Sequence, residues 1–141
     1  MAHPDLEKLL NAMLPFGQQM LQKQGEFFPY GGTMSTTGEI AAEAVSDGTE
    51  QPPSQALIDL LTRAFRQKAV AGQIRAACIC YDVRTIPPDQ TEKTDAICAS
   101  LEHQTGQFVD VYLPYKKSSF GKIQFGQIFA AKRNAQFFVQ S

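Results

Sequence analysis

A chain of 141 residues, 43% of them hydrophobic, has the length of one domain and enough apolar content to bury a core, which excludes a disordered chain. Its net charge is −1, with acids and bases mixed along the chain, so the basic excess of a dedicated nucleic-acid binder is missing. No apolar run approaches the ~20 residues of a membrane span, and the start MAHPDLEKLL lacks the regions of a signal peptide. A cytoplasmic protein is expected, with no nucleic-acid and no membrane partner, and its three cysteines suit a reduced compartment.

The elements follow in chain order. PDLEKLLNAMLPFGQQMLQKQG reads as an amphipathic helix, with Leu6, Leu9, Leu10, Met13, Leu14, Gly17, Met20 and Leu21 at helical spacing. Gly25 stops it, and Pro15, which removes an N–H inside the pattern, predicts a kink or a break. GEFFPYGGTMSTTGEI then reads as strands over 26–35 and 39–45 joined by a three-residue loop. Gly38 takes the left-handed position of that loop, Thr37 is central, and Met34 faces Ile40. Gly31-Gly32-Thr33 has no phosphate-loop lysine and no dinucleotide spacing. A strand bent or bulged at Pro29 and Gly31 is expected there.

SDGTEQPPS is a loop, and SQALIDLLTRAFRQKAVAG is a second helix, capped by Ser54 and ended by Gly72. Leu57, Leu61, Ala64, Phe65 and Lys68 trace its inner face. IRAACICYDVRTI is a strand. TDAICASLEH and QFVDVYLPY form a second hairpin through QTG, with Thr105 central, His103 opposite Gln107 and Ala99 opposite Val111. That register gathers Ile97, Leu101, Val109, Val111 and Leu113 on one face, whereas a one-residue slip would split them. KIQFGQIFAA is a sixth strand that places Phe125, Gln127 and Phe129 on one aromatic face, and Phe137 and Phe138 dock from the tail. The aromatic load of these late residues motivates a homodimer as its cover.

The result is a single α+β domain over residues 1–141: one antiparallel sheet of five to six strands with two main helices, in the order α-β-β-α-β-β-β-β. That element order resembles the roadblock and profilin-like layouts, a likeness that carries no function.

Candidate sites are few. Ile79, Tyr81 and Val83 are expected on the Val109–Leu113 face. Cys78, Cys80 and Asp82 would then share the other face with Cys98, Ser100, Asp110 and Tyr112. The small residues Ala76, Cys78, Cys80, Ala96 and Cys98 read there as a seat for a helix. C-x-C on a strand is not a zinc spacing, so no metal and no cofactor are expected. Cys98 and His103 point to opposite faces and cannot form a nucleophile–base pair. No hydrolase motif occurs, so no catalytic residue is assigned. Asp95 and Asp110 need partners within apolar strands, with Arg75, Arg84 and Lys93 as the available charges.

GEFFPYGG and EKTDAICASLEH together resemble a family of small uncharacterised bacterial proteins that share G-E-F-x-P-[YF]-G and E-K-T-D-A-I…L-E-H. The resemblance implies that Glu26, Pro29, Tyr30, Lys93, Asp95, Glu102 and His103 form one polar cluster. Of these, Glu26, Tyr30, Lys93, Asp95, Glu102 and His103 are the expected binding residues. The expected function is a protein-interaction module without catalysis, of the binding or immunity type, using exposed aromatics such as Phe27, Tyr30, Tyr115 and Phe120. The alternative is a small-molecule binder or small enzyme built on Glu26, Asp95, Glu102 and His103.

Overall fold

The computed structural model describes residues 3–139. The chain runs α1 (Pro4–Gln24), β1 (Tyr30–Ser35), β2 (Ile40–Glu43), α2 (Ser54–Val70), β3 (Ile74–Thr85), β4 (Thr94–His103), β5 (Phe108–Lys117), β6 (Ile123–Phe125) and β7 (Phe129–Lys132). All strand pairs are antiparallel, in the order β2-β1-β3-β4-β5-β6, with β7 also on β5. The sheet has one strand more than the upper count expected from sequence.

The two helices lie on opposite faces. From α1, Leu6, Leu9, Met13, Leu14 and Leu21 pack on Ala76, Cys78, Cys80, Ile97, Ala99 and Leu101. From α2, Leu61 and Phe65 pack on Ala77 and Ile79. Strand β1 runs between both helices, which explains its glycines. A Cβ on Gly31 would sit 2.6 Å from the Cys78 carbonyl and 2.7 Å from the Phe65 ring, and one on Gly32 would strike the Met13 thioether. The pair serves close packing on two sides. The ladder irregularity of β1 falls at Met34/Ser35, not at Pro29 or Gly31.

Both expected hairpins form with three-residue loops. Ser35 N–H donates to the Glu39 carbonyl and His103 N–H to that of Gln107. Gly38 and Gly106 take φ of 93° and 99°, and the registers Met34↔Ile40 and Ala99↔Val111 hold. A third hairpin repeats the design: Ser118 N–H donates to the Lys122 carbonyl, with Gly121 at φ 79° and Phe120 central.

Several expectations are corrected. Ser54 is the first residue of α2 and not its cap, which falls on Pro53 with no side-chain hydrogen bond. The first two strands are shorter than 26–35 and 39–45, covering Tyr30–Ser35 and Ile40–Glu43. Helix α1 runs through Pro15 as one 21-residue helix with no break. The Tyr30 hydroxyl enters its ladder two residues later, donating to the Met13 carbonyl and accepting from Gly17 N–H. Strand β3 presents the opposite faces: Cys78 pairs with Leu101 and Cys80 with Ala99, so Cys78, Cys80 and Asp82 lie on the α1 side. Ile79 and Tyr81 lie on the α2 side with Cys98 and Ser100, and the three cysteines do not share a face. Finally, the sixth strand divides. Tyr115 pairs with Phe125 but Tyr112 pairs with Phe129, a one-residue slip opposite Pro114, which has no N–H for the ladder. Phe125 and Phe129 therefore face opposite ways, one against Tyr115 and the other stacked on Tyr112 at 5.0 Å.

The tail folds back on its own chain. Phe137 is fully buried, edge-on to Phe65 at 5.6 Å, and Arg66 Nε donates to the Gln136 carbonyl.

Candidate functional site

The deepest charged group is Glu102, fully buried on β4 on the α2 side. Its Oε2 accepts from Arg133 Nε and Gln136 N–H at 2.9 and 2.8 Å, and its Oε1 from Phe137 and Phe138 N–H at 2.9 and 3.2 Å. Arg133 also donates to Asp110 at 3.3 Å, and Asp110 accepts from the Ser100 hydroxyl at 2.7 Å. A buried carboxylate needs such company. Glu102 is thus the anchor that holds the tail, and Phe137 fills the core beneath it.

His103 is adjacent in sequence and points to the other face. Its Nε2 lies 2.8 Å from Asp5 Oδ2, and its Nδ1 accepts from Thr105 N–H at 3.2 Å. Nε2 therefore carries the proton and donates to Asp5. Arg75 Nε reaches the same carboxylate at 3.1 Å. The bond from His103, helped by Arg75, holds the Asp5 carboxyl below its ordinary range. His3 caps α1 by accepting from Asp5 N–H and stacks on His103 at 3.9 Å.

His3, Asp5 and His103 are the one group among the described residues with three metal-ligating atoms close together. Their geometry opposes an ion. Imidazole lone pairs lie in the ring plane, and two nearly parallel rings 3.9 Å apart cannot both aim at one point between them. Arg75 already provides the cation beside Asp5.

The remaining expected site residues lie elsewhere. Tyr30 is buried as the bridge within α1, and burial raises its phenol pKa well above the ordinary value. Asp95 is partly exposed and pairs with Arg84 at 3.7 Å, while Lys93 and Glu26 are exposed on loops. The chain therefore does not gather the six into one cluster. It places Glu102, His103 and Tyr30 in three separate structural roles. Arg75, expected as a charge for Asp95 or Asp110, meets Asp5 instead, while Asp110 is paired with Arg133; Arg133 and Asp5, which complete those roles, carried no sequence signal. They lie 31 and 98 residues from the groups they meet. Of the expected exposed aromatics, Phe27, Tyr30 and Tyr115 are buried and only Phe120 is exposed.

The cysteine sulfurs are all buried. Cys78 and Cys80 approach to 3.7 Å, and that contact together with burial pushes the Cys78 thiol pKa up. Burial raises Cys98 to about 11. Such thiols are poor nucleophiles.

Two concavities stand out among the described residues. A cleft of about 500 Å³ lies between the 87–90 loop and the β5–β7 edge, lined by Pro87, Asp89, Gln90, Lys116, Phe125 and Phe129 among others. Asp89 holds φ at 63°. A smaller apolar groove of about 260 Å³ runs between Phe16 of α1 and Ala42 of β2. Among the described residues, no helix is long and apolar enough to cross a membrane. No family model matches the chain, and neither a curated protein nor a solved structure is found to be similar to it.

Proposed function

We propose that this chain is a protein-interaction module that works by binding and performs no reaction; an immunity-type protein is one instance of that class. One observation carries the reading. The titratable groups that a reaction would need are already engaged inside the fold: Glu102 with the tail, His103 with Asp5, and Tyr30 with the α1 backbone. Catalysis requires an acid, base or nucleophile converging on a void where substrate sits; Glu102 and His103 line neither concavity, Tyr30 meets the apolar groove with its hydroxyl committed to α1, and the titratable groups of the 500 Å³ cleft, Asp89, Tyr115 and Lys116, come with no histidine, cysteine or second carboxylate. Phe137 is covered within the chain, so the tail does not call for a second copy, and a homodimer would instead pair through an open sheet edge, β2 or β6–β7.

The test is affinity capture from the native host combined with native mass spectrometry of the purified protein. A stoichiometric protein partner that survives gel filtration is the expected result. A small molecule bound one to one, with no protein partner, would overturn it. That outcome belongs to the alternative reading as a small-molecule binder, which the cleft supports by its size, within the ~300–1,000 Å³ of ligand pockets.

A further inference from the structure

The three hairpins share one design, and their tips differ in one respect. The central loop residue is Thr37 in the first and Thr105 in the second, but Phe120 in the third. Phe120 is 90% exposed and covers nothing of the core. A threonine would satisfy the turn equally well. A phenylalanine there leaves a large apolar group in water with no return to the fold.

Charge is segregated at the same place. Residues 111–141 contain five bases, Lys116, Lys117, Lys122, Lys132 and Arg133, and no acid. The even mixing expected from the whole-chain charge fails here. Arg133 is internal, bound to Glu102 and Asp110. Three of the lysines sit on the Phe120 hairpin. Its arms extend beyond the main sheet: β4 pairs with β5 only as far as Asp95↔Tyr115, whereas Lys116↔Gln124 and Lys117↔Ile123 pair within the ribbon alone. Lys116 and Lys117 are consecutive on a strand and point to opposite faces.

We infer that the β5–β6 hairpin docks tip-first on an anionic phospholipid surface, with Phe120 entering the headgroup boundary and Lys116 and Lys122 meeting lipid phosphates, while Lys117 is held on the Gly25 carbonyl at 2.9 Å. An apolar tip set ahead of the lysines suits end-on entry into a headgroup layer. Four residues of chain place Lys116 roughly 10 Å or a little more behind the tip, near the ~5–10 Å depth of interfacial insertion. Ile86 of the neighbouring β3–β4 loop is half-exposed at the same end of the sheet. Glu26, Asp89 and Glu92 are also at that end, on the neighbouring loops, so the hairpin must lead and the loops stay in water.

The test is vesicle co-sedimentation with the full chain. Phosphatidylcholine vesicles containing phosphatidylserine should carry the protein down at low salt, and pure phosphatidylcholine vesicles should not. Phe120→Thr, the residue of the other tips, should lower the partition coefficient about tenfold. Each of Lys116→Ala and Lys122→Ala should lower it about fivefold. Thermal unfolding should stay unchanged, because none of these side chains is in the core. Equal binding to neutral vesicles, no binding to anionic ones, or an unchanged Phe120→Thr partition would each overturn the inference. So would oligothymidylate binding that depends on the same residues while vesicles go unbound.

Discussion

Replacing Glu102 by glutamine keeps the shape of a buried side chain and removes its charge. All five of its bonding partners are donors: two nitrogens of Arg133 and the N–H groups of Gln136, Phe137 and Phe138. A glutamine has one acceptor oxygen and one donor NH2, so in either orientation the amide nitrogen faces at least two donors. Breaking a buried charge pair in this way costs about 3–5 kcal/mol. With an unfolding entropy of ~2.1 cal/mol/K per residue, a chain of this length should lose roughly 10–17 °C in Tm. Urea titration reads the free energy. Trypsin reads the mechanism, because Arg133 is only 12% exposed and should become cleavable once the tail detaches. Arg133→Met should cost less, since the three backbone N–H groups still solvate the carboxylate. The double variant Glu102→Gln/Arg133→Met should be no worse than Glu102→Gln alone, because the NH2 group then meets no guanidinium. A loss below about 1 kcal/mol, or strict additivity of the pair, would refute the anchoring role of Glu102.

Tyr30→Phe removes the hydroxyl that links the Met13 carbonyl to Gly17 N–H and should cost about 1–3 kcal/mol in urea; a neutral result would mean that the helix closes the bond itself. Gly31→Ala puts a methyl 2.6 Å from the Cys78 carbonyl and should cost about 1–3 kcal/mol or more, read by the same titration; an unaffected midpoint would show that β1 can move away. Asp5 has a folded pKa below its ordinary 3.8, so the folded state binds fewer protons than the unfolded one. Its stabilisation is present above that ordinary value and disappears as pH falls through the folded pKa. The stability gap between wild type and Asp5→Asn should therefore narrow steadily below pH ~4, and a gap that stays constant there would contradict the His103 and Arg75 contacts. All three thiols should resist an aromatic disulfide reagent until the protein unfolds, as their burial requires; rapid reaction of any one in the native state would contradict the core packing.

Local chemistry determined the helices, the two Thr-Gly hairpins and the α+β class from sequence alone. A three-residue loop with glycine at its left-handed position sets its own register, and helical spacing names its own inner face. Tertiary structure decided what local spacing cannot carry. The 86–93 loop leaves the β3–β4 register open, and one residue of difference moved the Cys78–Cys80 pair to the other face from Cys98. The late strand was legible as a strand, but its slip came from Pro114 on the facing strand. The candidate site behaved in the same way. Glu102 and His103 read as one motif because they are neighbours in the chain, yet consecutive strand residues point to opposite sides of a sheet. Their partners, Arg133 and Asp5, come from the far end and the near end of the sequence. A carboxylate's role follows from the donors around it, and those donors are assembled only when the tail and α1 close over the sheet.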